Sequence, residues 1–229
     1  MPIGAFRLNK LSAAVGGRTA QTISNPGGTL DTSIKKFGAG SVTSNNWAAN
    51  SLYSTLTGYQ QNDITVEGWF YFGGFGNSGL YPFGLWSDRT NTTYGLTLFY
   101  SATLGAKVIT MTTSAGNRDF TLPSVLSTNT WYHIAFTRNS SNLCKLYIDG
   151  TASSNTYTDS GTIFSSNLNI GFNNNRNAQT LTMKIDEFRV SKTTRYTSNF
   201  TSSNSAFTND ANTLLLVHFD ASTFTDDNA

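Results

Sequence analysis

An all-β chain, with its core supplied by one face of each of two packed sheets, is what this sequence predicts. Three observations carry the prediction. Apolar residues recur with a period of two over most of the chain, the repeat of a half-buried strand and not of a helix. The runs are divided by clusters of Asn, Ser, Asp and Gly, which bond their own backbone or tolerate positive φ in turns. Of 229 residues, 38% are hydrophobic and 13% aromatic but only 12% charged, against about 25% in ordinary domains. Ser, Thr, Asn and Gly must therefore cover the surface. An all-β chain of this length is commonly a single unit.

In chain order, residues 1–17 (MPIGAFRLNKLSAAVGG) read as an N-terminal arm and residues 18–229 as the domain. Alternation in the arm is poor. Its Ile3, Phe6, Leu8 and Leu11 are too apolar to be left in water. They are expected to anchor the chain on a neighbouring subunit or another protein, or else to dock as an extra strand on their own domain.

Two or three short strands are expected between residues 18 and 62, around the turn cluster Asn25-Pro26-Gly27-Gly28. Phe37 and Val42 are the expected core contacts. Trp47 reads as a lid over the core edge, with a ligand platform as the alternative. Asp63–Phe72 is a strand with Ile64, Val66, Phe70 and Phe72 on one face and Thr65, Glu67, Trp69 and Tyr71 on the other. Gly68 interrupts the inward face, which points to close approach of another backbone. Gly73–Gly79 is a glycine-rich loop without the Gly-Lys-Ser/Thr ending of a phosphate-binding loop. Tyr81–Arg89 holds a strand and a turn, and Gly95–Tyr100, Lys107–Thr112 and Phe120–Leu122 are the next strands.

Trp131–Gly150 is the clearest stretch. Tyr132, Ile134 and Phe136 alternate with Trp131, His133, Ala135 and Thr137. After the turn Asn139–Asn142, Cys144, Leu146 and Ile148 alternate with Lys145, Tyr147 and Asp149. Asp149-Gly150 closes a hairpin with a pair suited to positive φ. Further on, Leu168, Ile170 and Phe172 alternate, and Asn173–Asn177 is an exposed loop. Ile185–Val190 has apolar residues on both parities, which calls for a bulge or burial on both faces. Thr193–Ser198 fits one helical turn. The continuous apolar run of Thr213–Asp220 suits a strand buried on both sides.

The hairpin, with Tyr132-His133-Ile134-Ala135, its arginine-ended strand and its Tyr-Ile-Asp-Gly close, resembles the laminin G-like branch of the concanavalin A-like lectin/glucanase superfamily. KKFGAGSV (Lys35–Val42), DITVEGWFYF (Asp63–Phe72) and KIDEFRVSKTTRYTSNFT (Lys184–Thr201) resemble further pieces of that branch in the same order. The resemblance implies a two-sheet antiparallel jelly roll, used for binding and adhesion more often than for catalysis. TLLLVHFD (Thr213–Asp220) resembles the strand that opens such domains, yet here it comes last. Two arrangements stay open: a circular permutation that returns it beside the first strand, or insertion into a neighbour. The opening Gly-Ala-Phe-Arg-Leu-Asn resembles the start of structural proteins from marine phages.

Catalysis is not expected. The glucanase relatives use a local Glu-x-Asp-x-x-Glu run, and this chain has two glutamates, Glu67 and Glu187, in no such run. Asp186 and Glu187 are neighbours, so a regular strand sends them to opposite faces; they are expected to pair with Arg189 or to bond backbone groups. His133 and His218 are the two histidines, too few with one apolar cysteine, Cys144, for a zinc site. His133 reads as a packed strand residue and Cys144 as core. No nucleophile elbow is present. No cofactor is expected; calcium stays open, because the resemblance implies a rim site to which Asp88, Asn91, Asp159 and Asp220 could contribute. The sequons at Asn91, Asn139 and Asn199 read as chance in so Asn-rich a chain.

A net charge of +2 with scattered basic residues argues against nucleic acid; Arg189, Lys192 and Arg195 read as decoration of one exposed end. No run is long enough to span a membrane and no secretory leader is visible. The expected function is therefore a virion structural protein, a phage capsid decoration or fibre subunit made in the host cytoplasm, displaying a lectin-like domain. Its partners would be capsid or tail proteins, further copies of itself and surface glycans. The alternative is a bacterial carbohydrate-binding or adhesion module, and the third reading a glycoside hydrolase. The expected glycan contacts are Trp86, Asp88, Arg89, Asn173, Asn174, Asn175 and Arg176.

Overall fold

The computed structural model describes residues 19–44, 51–75, 80–101, 103–171 and 183–227, with backbone alone at 80–82. The expected anchor residues Ile3, Phe6, Leu8 and Leu11, the expected lid Trp47, and the loop residues Asn173–Arg176 lie outside them. The strands are β1 (Ile23–Ser24), β2 (Thr29–Asp31), β3 (Ser41–Ser44), β4 (Leu52–Thr55), β5 (Ile64–Phe72), β6 (Leu80–Asp88), β7 (Gly95–Ser101), β8 (Gly105–Thr113), β9 (Gly116–Leu126), β10 (Trp131–Arg138), β11 (Leu143–Ile148), β12 (Thr151–Ala152), β13 (Tyr157–Thr158), β14 (Asn167–Ile170), β15 (Met183–Ser191) and β16 (Thr213–Val217).

They form a seven-stranded sheet, β1-β4-β14-β6-β7-β8-β9, packed on a nine-stranded one, β12-β11-β10-β5-β15-β3-β2, with β13 on β11 and β16 on β15. Every pairing is antiparallel, as the jelly-roll expectation required. The core between the sheets is filled by alternate residues of facing strands, such as Ile64, Val66, Phe70 and Phe72 of β5 against Trp86, Leu96, Leu98 and Met111. Burying a side chain of this size contributes about 1.5–3 kcal/mol.

The hairpin forms as its alternation predicts, with Ile134 opposite Ile148 and Arg138 opposite Cys144. Asp149 and Gly150 both take positive φ, 49° and 82°, the geometry of a two-residue turn that matches strand twist. Arg138 is buried, and its guanidinium donates to the carbonyls of Gln61 and Gly161 at 2.6 and 2.7 Å, tying two loops to the strand end. Cys144 is core, as expected, and burial pushes its thiol up to about 12.

Several local expectations need correction. Gly68 faces the Phe188 and Phe70 rings, which would stand 3.3 Å from a Cβ there, so aromatic side chains make the close approach and not a backbone. Phe37 packs outside the main core, edge-on to Trp69 at 5.7 Å in a smaller cluster with Phe207 and Leu216. Residues 193–198 form no helical turn; Thr65 holds them flat by accepting the Arg195 N–H and donating to the Thr193 carbonyl. β16 pairs with Phe188–Ser191 on the edge of β15 where β3 pairs with Met183–Ile185. The last strand thus closes its own sheet, end to end with one of the first.

Candidate functional site

Each sheet has one face on the shared core and one turned away, and the two outward faces differ. On the nine-stranded sheet the outward face is covered. The chain after β15 runs across it: Phe200 N–H donates to the Gly150 carbonyl at 2.9 Å, Phe200 stacks on Tyr196 at 3.6 Å, and Phe207 sets its edge to His133 at 5.7 Å. Beneath this strap Glu67 is 1% exposed. It accepts Arg189 Nε at 2.9 Å and the Tyr196 hydroxyl at 2.8 Å, and it lies 3.0 Å from His133 Nε2. Burial alone would raise the Glu67 carboxyl; the His133 hydrogen bond and the Arg189 charge outweigh it and hold the group below its ordinary value. Arg189 is therefore the buried partner of Glu67, not part of an exposed basic end.

Asp186 and Glu187 also meet this covered face. One extra residue of β15 lies between Asp186, opposite Trp69, and Arg189, opposite Glu67, and Glu187 takes φ 54°. The bulge cancels the alternation that would have parted the two carboxyls. Asp186 accepts the Lys36 and Phe37 N–H groups at 2.8 and 3.0 Å. Glu187 accepts the Phe207 N–H at 2.7 Å and lies 2.8 Å from His218 Nδ1. Both bond as expected to backbone, and neither to Arg189. Burial, helped by the charges of Glu187 and Asp220, pushes the Asp186 carboxyl up to about 7. The Glu187 hydrogen bond raises His218 against the opposing effect of its burial. Both glutamates and both histidines are thus engaged in this network. The cleft that reaches it at His218, lined also by Asp220, Phe224 and Asp227, holds about 150 Å³, less than the roughly 300 Å³ of a small ligand site.

The outward face of the seven-stranded sheet is polar. Leu52, Leu168, Ile170, Trp86, Leu96 and Met111 point into the core, so their strand neighbours point away from it. Cross-strand register aligns these neighbours in one row: Tyr53 opposite Asn169, Asn169 opposite Ser87, Ser87 opposite Gly95, Gly95 opposite Thr112, and Thr112 opposite Asn117. With strands about 4.8 Å apart, six positions make a track of about 24 Å. Gly95 is obligatory in it: its φ is 149°, and a Cβ would come 2.3 Å from the Trp86 carbonyl oxygen. Gly95 is itself buried, as are Asn169 and Ser87, so the row reaches the surface only towards its ends, at Tyr53 and at Thr112 and Asn117.

Arg89, at the end of β6, closes one end of the track. Its guanidinium lies 3.5 Å over the Tyr53 ring, and Nη1 donates to Asn169 Oδ1 at 3.1 Å. Asn169 is 2% exposed and fixed in turn by Ser51 and Ser87. Beside it Asn167 Oδ1 accepts the Thr55 hydroxyl at 2.6 Å. Where it reaches the surface the face thus offers one fixed cation, the Asn167 and Asn117 amides and the Thr55 and Thr112 hydroxyls. Asp119, bonded by Thr110, is the one carboxylate we place on it.

Of the residues the sequence nominated, Arg89 lies on this surface. Trp86 does not: it is 2% exposed, with its ring between those of Phe136 and Phe164 in the core. Asp88 is equally buried; Oδ1 accepts the Thr90 and Asn91 N–H groups, and Oδ2 that of Ser165. Tyr53, Asn167, Asn169, Ser87 and Thr112 were missed. Their signal was present as the polar half of each alternation, but nothing local shows which strands lie side by side. Three of the four calcium candidates are engaged with protein groups. Asp220 is held by the Ala39 and Gly40 N–H groups, Asp159 by Arg118 and Thr113, and Asp88 as above. No three His, Cys, Asp or Glu side chains converge among the described residues.

Comparison with known proteins agrees with this architecture. The Laminin_G_3 family model, described as concanavalin A-like lectin/glucanases superfamily, matches residues 38–199, and the chain belongs to that family. No curated protein matches it in sequence. Among solved structures it is similar to the binding domain of Paraclostridial Mosquitocidal Protein 1, with 14% identity and a TM-score of 0.58 over 77% of this chain and 45% of that one. It is also similar to the botulinum neurotoxin serotype D ligand binding domain in complex with N-acetylneuraminic acid, with 14% identity and a TM-score of 0.53 over 82% and 44%. The cellulose induced protein Cip1 matches at 14% identity and a TM-score of 0.50 over 76% of this chain and 91% of its own. The chain spans less than half of the two toxin binding domains, and at these identities the likeness is one of fold.

Proposed function

We propose that this chain is a carbohydrate-binding module and that its binding surface is the outward face of the seven-stranded sheet. The observation that carries the reading is the polar row Tyr53–Asn169–Ser87–Gly95–Thr112–Asn117, set by register, buried in the middle and reaching the surface at Thr112 and Asn117 on one side and at Tyr53, under the exposed Arg89, on the other. Amides, hydroxyls and a fixed guanidinium are groups that recognise sugars, and Asn167, Thr55 and Arg89 bring them together at one end of the row. Binding without cleavage follows from the placement of carboxyls. Glycoside hydrolysis needs two across the sugar, roughly 5–9.5 Å apart, while Glu67 and Glu187 are 1% exposed beneath the strap.

Two of the similar structures are binding domains by name, which favours this reading over the virion display that the sequence placed first. Single sugar contacts are weak, so several copies in a homo-oligomer would raise avidity. The test is retention of the purified protein on a panel of immobilised glycans, with Tyr53→Ala and Thr112→Ala as variants. Retention by the native protein, reduced about tenfold in each variant, is the expected result. Retention of no glycan, or unchanged binding by both variants, would overturn the proposal.

A further inference from the structure

Arg89 shows which class of glycan the track takes. Most of the arginines in the described structure are committed: Arg118 to Asp159, Arg138 to carbonyls, Arg189 to Glu67 and Arg195 to Asp210. Arg89 has no carboxylate partner among the described residues, although it sits on an ordered surface and is exposed. One face of its guanidinium lies against Tyr53 and its Nη1 is held by Asn169. Nε and Nη2 form the other side of the planar fork, and neither bonds to protein among the described residues. Two parallel N–H groups on one edge of a guanidinium match the two oxygens of a carboxylate.

Holding the group in advance matters. A free arginine loses side-chain entropy when it binds, whereas this one is already fixed by a ring and an amide that is itself anchored. The surroundings favour an acid over a neutral diol. Asp119 lies on β9, at the opposite edge of the sheet, and the Asp88 carboxyl beside Arg89 in sequence is turned to backbone N–H groups. Among the described residues no fixed negative charge therefore neutralises Arg89.

From this geometry we propose that the site binds carboxylate-bearing sugars, with the acid group on the Nε/Nη2 edge of Arg89 and the rest of the glycan against Thr55 and Asn167 beside it. The proposal rests on the sheet-face reading above. A carboxylate can come from a uronic acid or from a sialic acid, and the test separates them.

Full-length protein is measured by biolayer interferometry against polygalacturonate, its methyl ester, sialyllactose, lactose and dextran sulfate. Arg89→Ala and Arg89→Lys are run beside it, each checked for an unchanged thermal melt. Expected is binding to polygalacturonate or to sialyllactose that falls about 10- to 100-fold on methyl esterification or loss of the sialic acid, as loss of a charged hydrogen-bond pair implies. Arg89→Ala should show the same loss, and Arg89→Lys most of it, because an ammonium cannot make the two-pronged contact. Equal affinity for the ester, or for lactose, would overturn the acidic-sugar proposal and leave the module reading standing. Preference for dextran sulfate over both carboxylates would also overturn it. Binding to none of the five probes, with no retention on the wider panel, would remove both.

Discussion

The two outward faces of this sandwich are built from the same strand pattern and carry different chemistry. On the nine-stranded sheet, Glu67, His133 and Arg189 would be solvent-facing by parity, but residues 192–212 lie over them and convert the face into a second, polar core. On the seven-stranded sheet the equivalent positions are Tyr53, Asn169, Ser87 and Thr112, and Arg89 beside them is exposed. Charge burial explains the difference in consequence. An ion enclosed without its partner costs several kcal/mol, so the covered face is a stability element. Arg89 is exposed and costs little to replace, so it is free to serve binding.

The largest expected effect tests the covered face. Glu67→Ala leaves Arg189 and His133 buried without their acceptor and should cost about 3–5 kcal/mol, read from urea unfolding. A loss below about 1 kcal/mol would show that the strap does not enclose these charges. Next comes the contact between strap and hairpin. At Gly150, with φ 82°, a Cβ would lie 1.9 Å from the Phe200 carbonyl oxygen. Gly150→Ala should cost at least about 2 kcal/mol, from the left-handed backbone and the clash together. A milder loss would mean that the strap can lift away from the turn.

A third prediction concerns pH. Burial raises the Asp186 carboxyl from 3.8 to about 7. Between those values the folded chain keeps a proton that the unfolded chain has released. The native protein should therefore lose stability as pH climbs from about 4 to about 7, by up to about 1.4 kcal/mol per pH unit, with no further loss from this group above that. Asp186→Asn removes the dependence, so its stability relative to wild type should rise across the window. Urea melts at several pH values measure it, and a difference independent of pH would mean that Asp186 titrates normally. The smallest stability effect belongs to the open face. Arg89→Ala and Thr112→Ala should each change stability by less than about 1 kcal/mol while lowering glycan retention. A large destabilisation in either would erase the contrast between the two faces.

Much of the architecture was legible because it is written locally. The alternations of Tyr132–Phe136 and Cys144–Ile148 fixed which side chains face the core, and Asn139–Asn142 and Asp149-Gly150 marked the turns. The mixed parity of Ile185–Val190 signalled the bulge that is found at Glu187. The site was less legible. Trp86 looked like a sugar platform because tryptophan often is one, yet its parity with Phe83 and Leu85 could not be read without knowing the irregularities of β6, where register shifts twice. Arg89 was found for its chemistry, but Tyr53, which lies beneath it, is 36 positions away in the chain.

By itself, then, the sequence determined a β-sandwich, its central hairpin, the apolar face of most strands and a shortage of acidic groups for catalysis. The tertiary structure decided which outward face the strap crosses and which polar residues stand in one row. Side-chain direction in a strand is set by its immediate neighbours, through a period of two residues. Adjacency across a sheet depends on long-range register, and burial of an outward face depends on where a distant segment comes to rest.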